Sequence, residues 1–437
     1  MTSAHGRNLA TVMCIPAIPQ LLKEFKSTDS SYETIIVSVW ELGEAVGPLL
    51  TAPASEIYGR TLIYNATNVV FIIFSIACAV STNLPMLLAF RLFNGMGDAS
   101  IALNPSIVGD MFVQEERGLP LAMVGLPPLI GPVAGPVIGG YLTQREGWRW
   151  AFWLSAIAGG VCELAFIAFF RETYEPRILR NKVRRFRKET GNEDLRCKYD
   201  KENDFQTPGR ILFESCSRPI RMLVSTPVVA LLAVYVSAVY GILYILLTTI
   251  TEVFESTYGF TQGEAGLAYL GLSLGMVVGV LLCAFSSDWW LERQAARHDG
   301  QLKPEYRLPP MVLGGLLIPV GLFIYGWTAQ AHVFFIVPMI GTAALGFGFF
   351  VTAIPLNAYL VDTYKVHAAS AIAATIVLRC IVGALLPLAG PRLYSRLGYG
   401  WGNSLLGFIA LLFVPVPIVL MRLGERLRQH GHVENPG

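Results

Sequence analysis

Gly131-Pro132-Val133-Ala134-Gly135-Pro136-Val137-Ile138-Gly139-Gly140-Tyr141-Leu142 decides the fold class. Two Gly-Pro pairs and a Gly-Gly close a segment, 119–142, that carries no charged residue. Prolines inside a water-exposed helix would break it. In a bilayer, neighbouring helices re-satisfy the freed backbone groups, and glycines let those neighbours approach closely. A kinked, tightly packed spanning helix belongs at a moving interface. The run implies a membrane carrier.

Composition agrees. Of 437 residues, 53% are apolar and 15% charged, against roughly 25% charged in soluble domains. A formal net charge of +2 gives no case for a nucleic-acid partner. Apolar runs able to cross about 30 Å of hydrocarbon recur along the chain, about twelve in all. The first six are 8–22, 35–52, 62–81, 86–108, 119–142 and 150–170; the second six are 228–250, 265–285, 310–327, 333–351, 371–388 and 404–420. The first is short, since about twenty residues are usual. Pro16-Ala17-Ile18-Pro19 suits a broken spanning helix better than a cleavable leader. Either that helix is half-length or the chain begins inside it, and the second reading is preferred. Seven scattered cysteines show neither metal-ligand nor redox spacing, so no metal site, disulfide framework or cofactor is implied.

The polar stretch 171–227 divides the chain into two sets of six spans, with Arg180, Lys182, Arg184, Arg185, Arg187 and Lys188 just after the sixth. Residues 288–308 and the tail are also basic, whereas the opposite connections are short and poor in Lys and Arg. The positive-inside bias puts the basic segments and both termini in the cytoplasm. The expected organisation is a six-helix bundle over 1–170, a cytoplasmic loop over 171–227, a second bundle over 228–423 and a tail over 424–437. Two repeated bundles around a midplane site suggest a transporter, in the all-α membrane class.

At the end of span two the chain reads Gly47-Pro48-Leu49-Leu50-Thr51-Ala52-Pro53-Ala54-Ser55-Glu56-Ile57-Tyr58-Gly59-Arg60. Glu56 suits capping of a neighbouring helix or pairing with an arginine of the other bundle, forming a cytoplasmic latch. Gly59 permits a tight turn and Arg60 supplies a cation. This stretch resembles the signature between spans two and three of the major facilitator superfamily, in the fungal form Pro-x-Ser-Glu-x-Tyr-Gly-Arg. In the general pattern Ala52 is glycine and Thr61 is basic. Arg91-Leu92-Phe93-Asn94-Gly95 in span four is similar to a second signature of that family. An arginine at that depth needs a partner or water. Asp98 lies two turns along, and both a functional site and a structural ion pair remain open for Arg91. Gly131, Gly135, Pro136, Gly139 and Gly140 resemble the fifth-span motif of the family's proton-coupled antiporters.

Glu41 and Glu44, three apart in span two, share one helix face inside an apolar stretch. Burial and like charge both favour a carboxylic acid that loads and releases a proton, the chemistry of a relay. Glu41, Glu44, Arg91 and Asp98 are the coupling candidates. Trp40, Tyr240, Tyr244, Asn357 and Arg379 are the substrate-facing candidates, with Tyr235 and Tyr359 nearby. Arg379 lies among Ile376, Val377, Leu378 and Ile381, so it too needs a partner or an aqueous cavity.

Glu172-Thr173-Tyr174-Glu175-Pro176, Arg218-Pro219, Tyr359-Leu360-Val361-Asp362-Thr363-Tyr364 and Leu397-Gly398-Tyr399-Gly400-Trp401-Gly402-Asn403 extend the resemblance to the fungal twelve-span drug:proton antiporters. It implies the major facilitator fold, two six-helix bundles related by a pseudo-twofold. It also implies proton-driven export of a small, largely apolar organic compound across the cell membrane, by a monomer embedded in the lipid bilayer, with no cofactor. A polyamine or nutrient importer of the same fold and a truncated, non-transporting sensor are the alternatives. No enzyme is implied.

Overall fold

The computed structural model describes residues 13–14, 17–26, 31–113, 116–125, 127–199, 208–296 and 303–430, and shows no strand among them. The first half contains α1 (Ile18–Glu24), α2 (Ser31–Tyr58), α3 (Arg60–Ala79), α4 (Leu84–Gly97), α5 (Asn104–Met111), α6 (Gly118–Gly125), α7 (Pro127–Glu146) and α8 (Arg149–Phe169). Two helices occupy the central stretch, α9 (Glu175–Thr190) and α10 (Pro208–Ser225). The second half contains α11 (Pro227–Tyr258), α12 (Gln262–Ala296), α13 (Pro309–Gln330), α14 (Ile336–Tyr364), α15 (Ala368–Leu385), α16 (Gly390–Phe413) and α17 (Pro415–His430).

Eight stretches among the described residues are long and apolar enough to span a membrane. The difference from twelve has local causes. The expected fourth span is interrupted by a 3-10 turn, Asp98–Leu103, between α4 and α5. The fifth is described in two pieces, α6 and α7, and residues 8–12 and 15–16 of the expected first span lie outside the described residues. The eighth stretch, Ala368–Leu427, contains the last two expected spans together. There the sequence-based boundaries shift. Residues 390–403, expected as a connection, begin α16, whose two arms meet at Gly398 with φ 69°. That angle lies in the region only glycine enters freely. The expected span 404–420 is cut after Phe413, and Pro415 opens α17, in keeping with proline at a helix start.

The central stretch is less irregular than its polarity suggests. α9 is amphipathic, has no buried residue, and ends on Gly191 in the left-handed conformation. Its arginines therefore sit at the surface, directly after α8.

Backbone approach at glycines adds to the side-chain packing inside each half. A Cβ at Gly43 of α2 would fall on the Leu92 carbonyl of α4, and one at Gly95 would fall on the Trp40 carbonyl. The second half repeats the device. A Cβ at Gly275 of α12 would fall on the Ala343 carbonyl of α14, and one at Gly346 on the Leu272 carbonyl. Such small-residue seams let spanning helices gain dispersion contact where lipid offers no hydrophobic drive. Gly95→Val should therefore force α2 and α4 apart and cost about 1–3 kcal/mol or more by overpacking. A lower melting midpoint in detergent-solubilised protein is the expected readout, and an unchanged midpoint would mean the seam yields freely.

The two halves meet along two lines. α2 packs on α15, and α6 and α7 pack on α12. The Gly-rich run lies in α7, where Gly131, Gly135, Gly139 and Gly140 are buried. A Cβ at Gly139 would strike the backbone of Met13, so this face also receives the first span. Pro136 is part of the same helix, and its side-chain surroundings lie outside the described residues.

Candidate substrate and coupling site

One stripe of α2 bonds to the second half at four levels. Ser38 Oγ donates to the Ala384 carbonyl of α15 at 2.7 Å. Glu41 accepts from Tyr240 Oη of α11 at 3.5 Å. Glu44 Oε1 accepts from Arg379 Nη2 of α15 at 2.9 Å. Near the helix end, Glu56 accepts from Arg218 Nη1 of α10 at 2.8 Å and from Ser370 Oγ at 3.1 Å. The i, i+3 spacing of Ser38, Glu41 and Glu44 keeps these groups on one face. That face is the seam between halves.

At the middle level Glu41 is fully buried and Glu44 is 4% exposed. Glu41 Oε1 has no hydrogen-bond partner among the described residues. The Arg379 guanidinium lies 4.8 Å over the Tyr240 ring, and Tyr240 stacks at 4.6 Å on Tyr244 while donating to its hydroxyl at 3.2 Å. The Cys380 thiol and one oxygen each of Glu41 and Glu44 lie within 4.8 Å of one another. Two acids, one base and two phenols thus form a single cross-seam cluster. Its charge balance changes by whole units with each proton gained or lost.

Beside the cluster is a cavity of about 70 Å³. Val236, Val239, Phe349, Leu356, Ile372 and Ile376 make most of its wall, and Thr352, Thr375, Asn357 and Arg379 supply polarity. Small-molecule sites usually measure roughly 300–1,000 Å³. This cavity is smaller than that range.

The sequence-derived candidates do not all converge here. Glu41, Glu44, Tyr240, Tyr244 and Arg379 form the cluster, and Asn357 lines the cavity. Trp40 turns instead into the first half, where Nε1 donates to Asn94 Oδ1 at 3.1 Å. Asn94 in turn donates to the Phe71 carbonyl and to Ser75. Arg91 is 1% exposed; its Nε donates to the Ile36 carbonyl at 2.8 Å, and the guanidinium lies 5.8 Å over Phe152. A carbonyl and a ring face hold it, where the sequence suggested an acid. Asp98 is fully buried at the start of the 3-10 turn, off the α-helical register assumed for it. Tyr235 bonds Thr352 at 3.5 Å, and Tyr359 is buried in the second-half core.

At the Glu56 end, Gly59 takes φ 94°, and Arg60 opens α3. The Glu172 carboxylate accepts from the Arg60 and Thr61 backbone amides, capping that helix. Arg60 also bonds Asp110 at 3.0 Å and Ser55 at 2.6 Å, and lies 4.7 Å over the Tyr174 ring. Burial, with the Glu56 carboxylate close by, pushes the Tyr174 hydroxyl up to about 12. The phenol stays neutral, and its ring remains a cation-binding face.

The second half has a counterpart that the sequence reading missed. Asp362, near the end of α14, pairs with Arg307 at 2.7 Å and with Arg117 at 2.7 Å. Arg307 and Asp362 are fully buried side chains, and Arg117 comes from the first half. Arg60 with Asp110 and Arg307 with Asp362 occupy matching places: a basic residue before or at a helix start, an acid at the end of the next spanning helix. An acid at a helix C-terminus opposes the macrodipole, so each needs a cation. That was the available signal: a carboxylate soon after the fourth apolar run and another eleven residues beyond the tenth.

The Major Facilitator Superfamily pattern matches residues 7–387. The chain belongs to the major facilitator superfamily. It is therefore a membrane-embedded transporter of a small molecule, and its family is one of carriers, not enzymes. Among similar proteins, the efflux pump radE of Floropilus chiversii is 47% identical over 97% of this chain and 78% of its own length. The MFS-type transporter penM of Penicillium rubens is 46% identical over 96% of this chain and 82% of its own. The transporter shares its fold with the human organic anion transporter MFSD10, at TM-score 0.70, 15% identity and coverage of 95% and 97%. The proton:xylose symporter XylE matches at TM-score 0.70, 15% identity and coverage of 96% and 94%. The two six-helix bundles and their pseudo-twofold are those of this fold.

Proposed function

We propose that the transporter exports a small, largely apolar organic compound, of the secondary-metabolite, toxin or drug kind, in exchange for protons. The observation that carries this reading is the Glu41–Glu44 pair, buried on α2 and bonded across the seam to Tyr240 and Arg379. The charge of Glu44 supplies one of the electrostatic ties between the halves, beside Arg117–Asp362. A carboxylate at that position links proton occupancy to the rocking of two bundles about a midplane site. The direction is supported by similarity to a protein named as an efflux pump. The basic α9 and the Glu56 end belong on the cytoplasmic side by the positive-inside bias, with both termini on that side. There Glu56, Arg218 and Ser370 form the latch that closes the inner face.

The test is retention of a panel of metabolites and drugs in pump-deficient yeast at verified surface expression, with and without a protonophore. Wild type should lower retention of at least one compound, and the protonophore should abolish the difference. A Glu41→Gln/Glu44→Gln double variant, expressed to the same level, should retain the compound as empty cells do. Export that ignores both the protonophore and the double substitution would sink the proton-coupled reading.

A further inference from the structure

The cavity wall separates three substrate classes. Among its described lining residues Arg379 carries the charge; Glu41 and Glu44 are not part of the lining. A guanidinium has five N–H donors. Arg379 commits Nη2 to Glu44, and its Nε has no partner among the described residues. The side chain keeps 21% exposure and belongs to the cavity wall. One of its five donors is committed to Glu44 and the Nε donor is buried and unmet, on a group whose charge Glu44 already balances.

A cationic ligand would find no carboxylate among the described lining residues, so its charge would be buried without a partner. An anionic ligand would compete with Glu44 for Arg379, leaving a 4%-exposed carboxylate without its partner. An uncharged acceptor does neither. It takes a spare N–H while the ion pair stays in place, and it leaves no buried donor unsatisfied. Asn357, Thr352 and Thr375 add neutral donors around the same space.

Resting on the export reading above, we propose that the substrate is an uncharged, mainly apolar molecule carrying a carbonyl-type oxygen, and that Arg379 donates to that oxygen while Glu44 orients it. Arg379 is then the specificity determinant, and Glu44 is a positioning residue. The groups facing Glu44 are Glu41 on its own helix, Arg379 and Cys380 on α15, and Tyr240 and Tyr244 on α11. Loss of the Glu44 charge would remove the anchor of Arg379 and with it the orientation of the donor toward the substrate.

The experiment measures equilibrium binding to the purified full-length chain in detergent. The probes are 2-acetylnaphthalene, its isostere 2-isopropenylnaphthalene, 1-(2-naphthyl)ethylammonium and 2-naphthoate. The first two differ only in a carbonyl against a C=CH₂ group. Wild type should bind the ketone about tenfold or more tightly than the alkene, the size of one hydrogen bond from a charged donor. Arg379→Lys keeps a cation for Glu44 but removes the planar fork. It should fold normally and lose the ketone-over-alkene preference. Glu44→Gln should weaken the ketone without affecting the alkene. Equal affinity for ketone and alkene, a preference for the ammonium or the carboxylate, or no binding of any probe would each overturn the inference. The retention assay fails or succeeds separately from these titrations, so loss of the export reading and loss of the specificity reading are told apart.

Discussion

Asp362→Ala should destabilise the transporter by about 3–5 kcal/mol. The carboxylate holds Arg307 and Arg117 at 2.7 Å each, and Arg307 is fully buried. Removing the acid takes this carboxylate from both guanidiniums, one of them wholly out of water. A buried pair need not add stability over an apolar isostere, but half a buried pair is costly. Thermal unfolding in detergent would show a large drop for Asp362→Ala. Arg117→Ala should drop less, because Arg117 is 16% exposed and Arg307 still balances the acid. Equal melting midpoints for wild type and Asp362→Ala would mean that water reaches this site.

The second large effect concerns the seam itself. Arg379→Met should cost about 3–5 kcal/mol, since Glu44 then has no counter-charge beside Glu41. Adding Glu44→Leu should recover most of that loss. The double-mutant cycle would report a coupling of about 2 kcal/mol or more, as that recovery requires for residues in direct contact. Export should be absent from both single variants and from the double. Stability and transport therefore part company in the double variant: the fold returns and the function does not. Recovery of uphill export in Glu44→Leu/Arg379→Met would remove the pair from the coupling machinery.

The candidates that proved to lie together share a property visible in one dimension. Glu41, Glu44 and Arg379 are ionisable groups inside long apolar runs, where charge is expensive and has to be satisfied. The Glu56–Arg60 signature was equally legible, because a tight turn and its charged neighbours are contiguous. Trp40 was assigned to the substrate for its chemistry, and it faces Asn94 because α2 presents a different side to α4 than to α15. Helical periodicity places residues on faces, but it does not say which neighbour each face meets. Arg91 illustrates the same limit, since its carbonyl partner is a backbone group with no signature of its own.

The sequence by itself determined the membrane class, the division into two helical halves, the family and the position of the intramembrane acids. These follow from hydropathy over windows of about twenty residues and from short motifs, which are local quantities. Only the tertiary structure decided the partners. Glu44 and Arg379 are 335 residues apart, and Arg117 and Asp362 are 245 apart. Two helices of one length and hydropathy can be rotated about their axes without any change in those local quantities. The rotation is set where α2 meets α15 and where glycine seams let backbones touch. That contact geometry turns a face carrying two acids into a seam between the two halves.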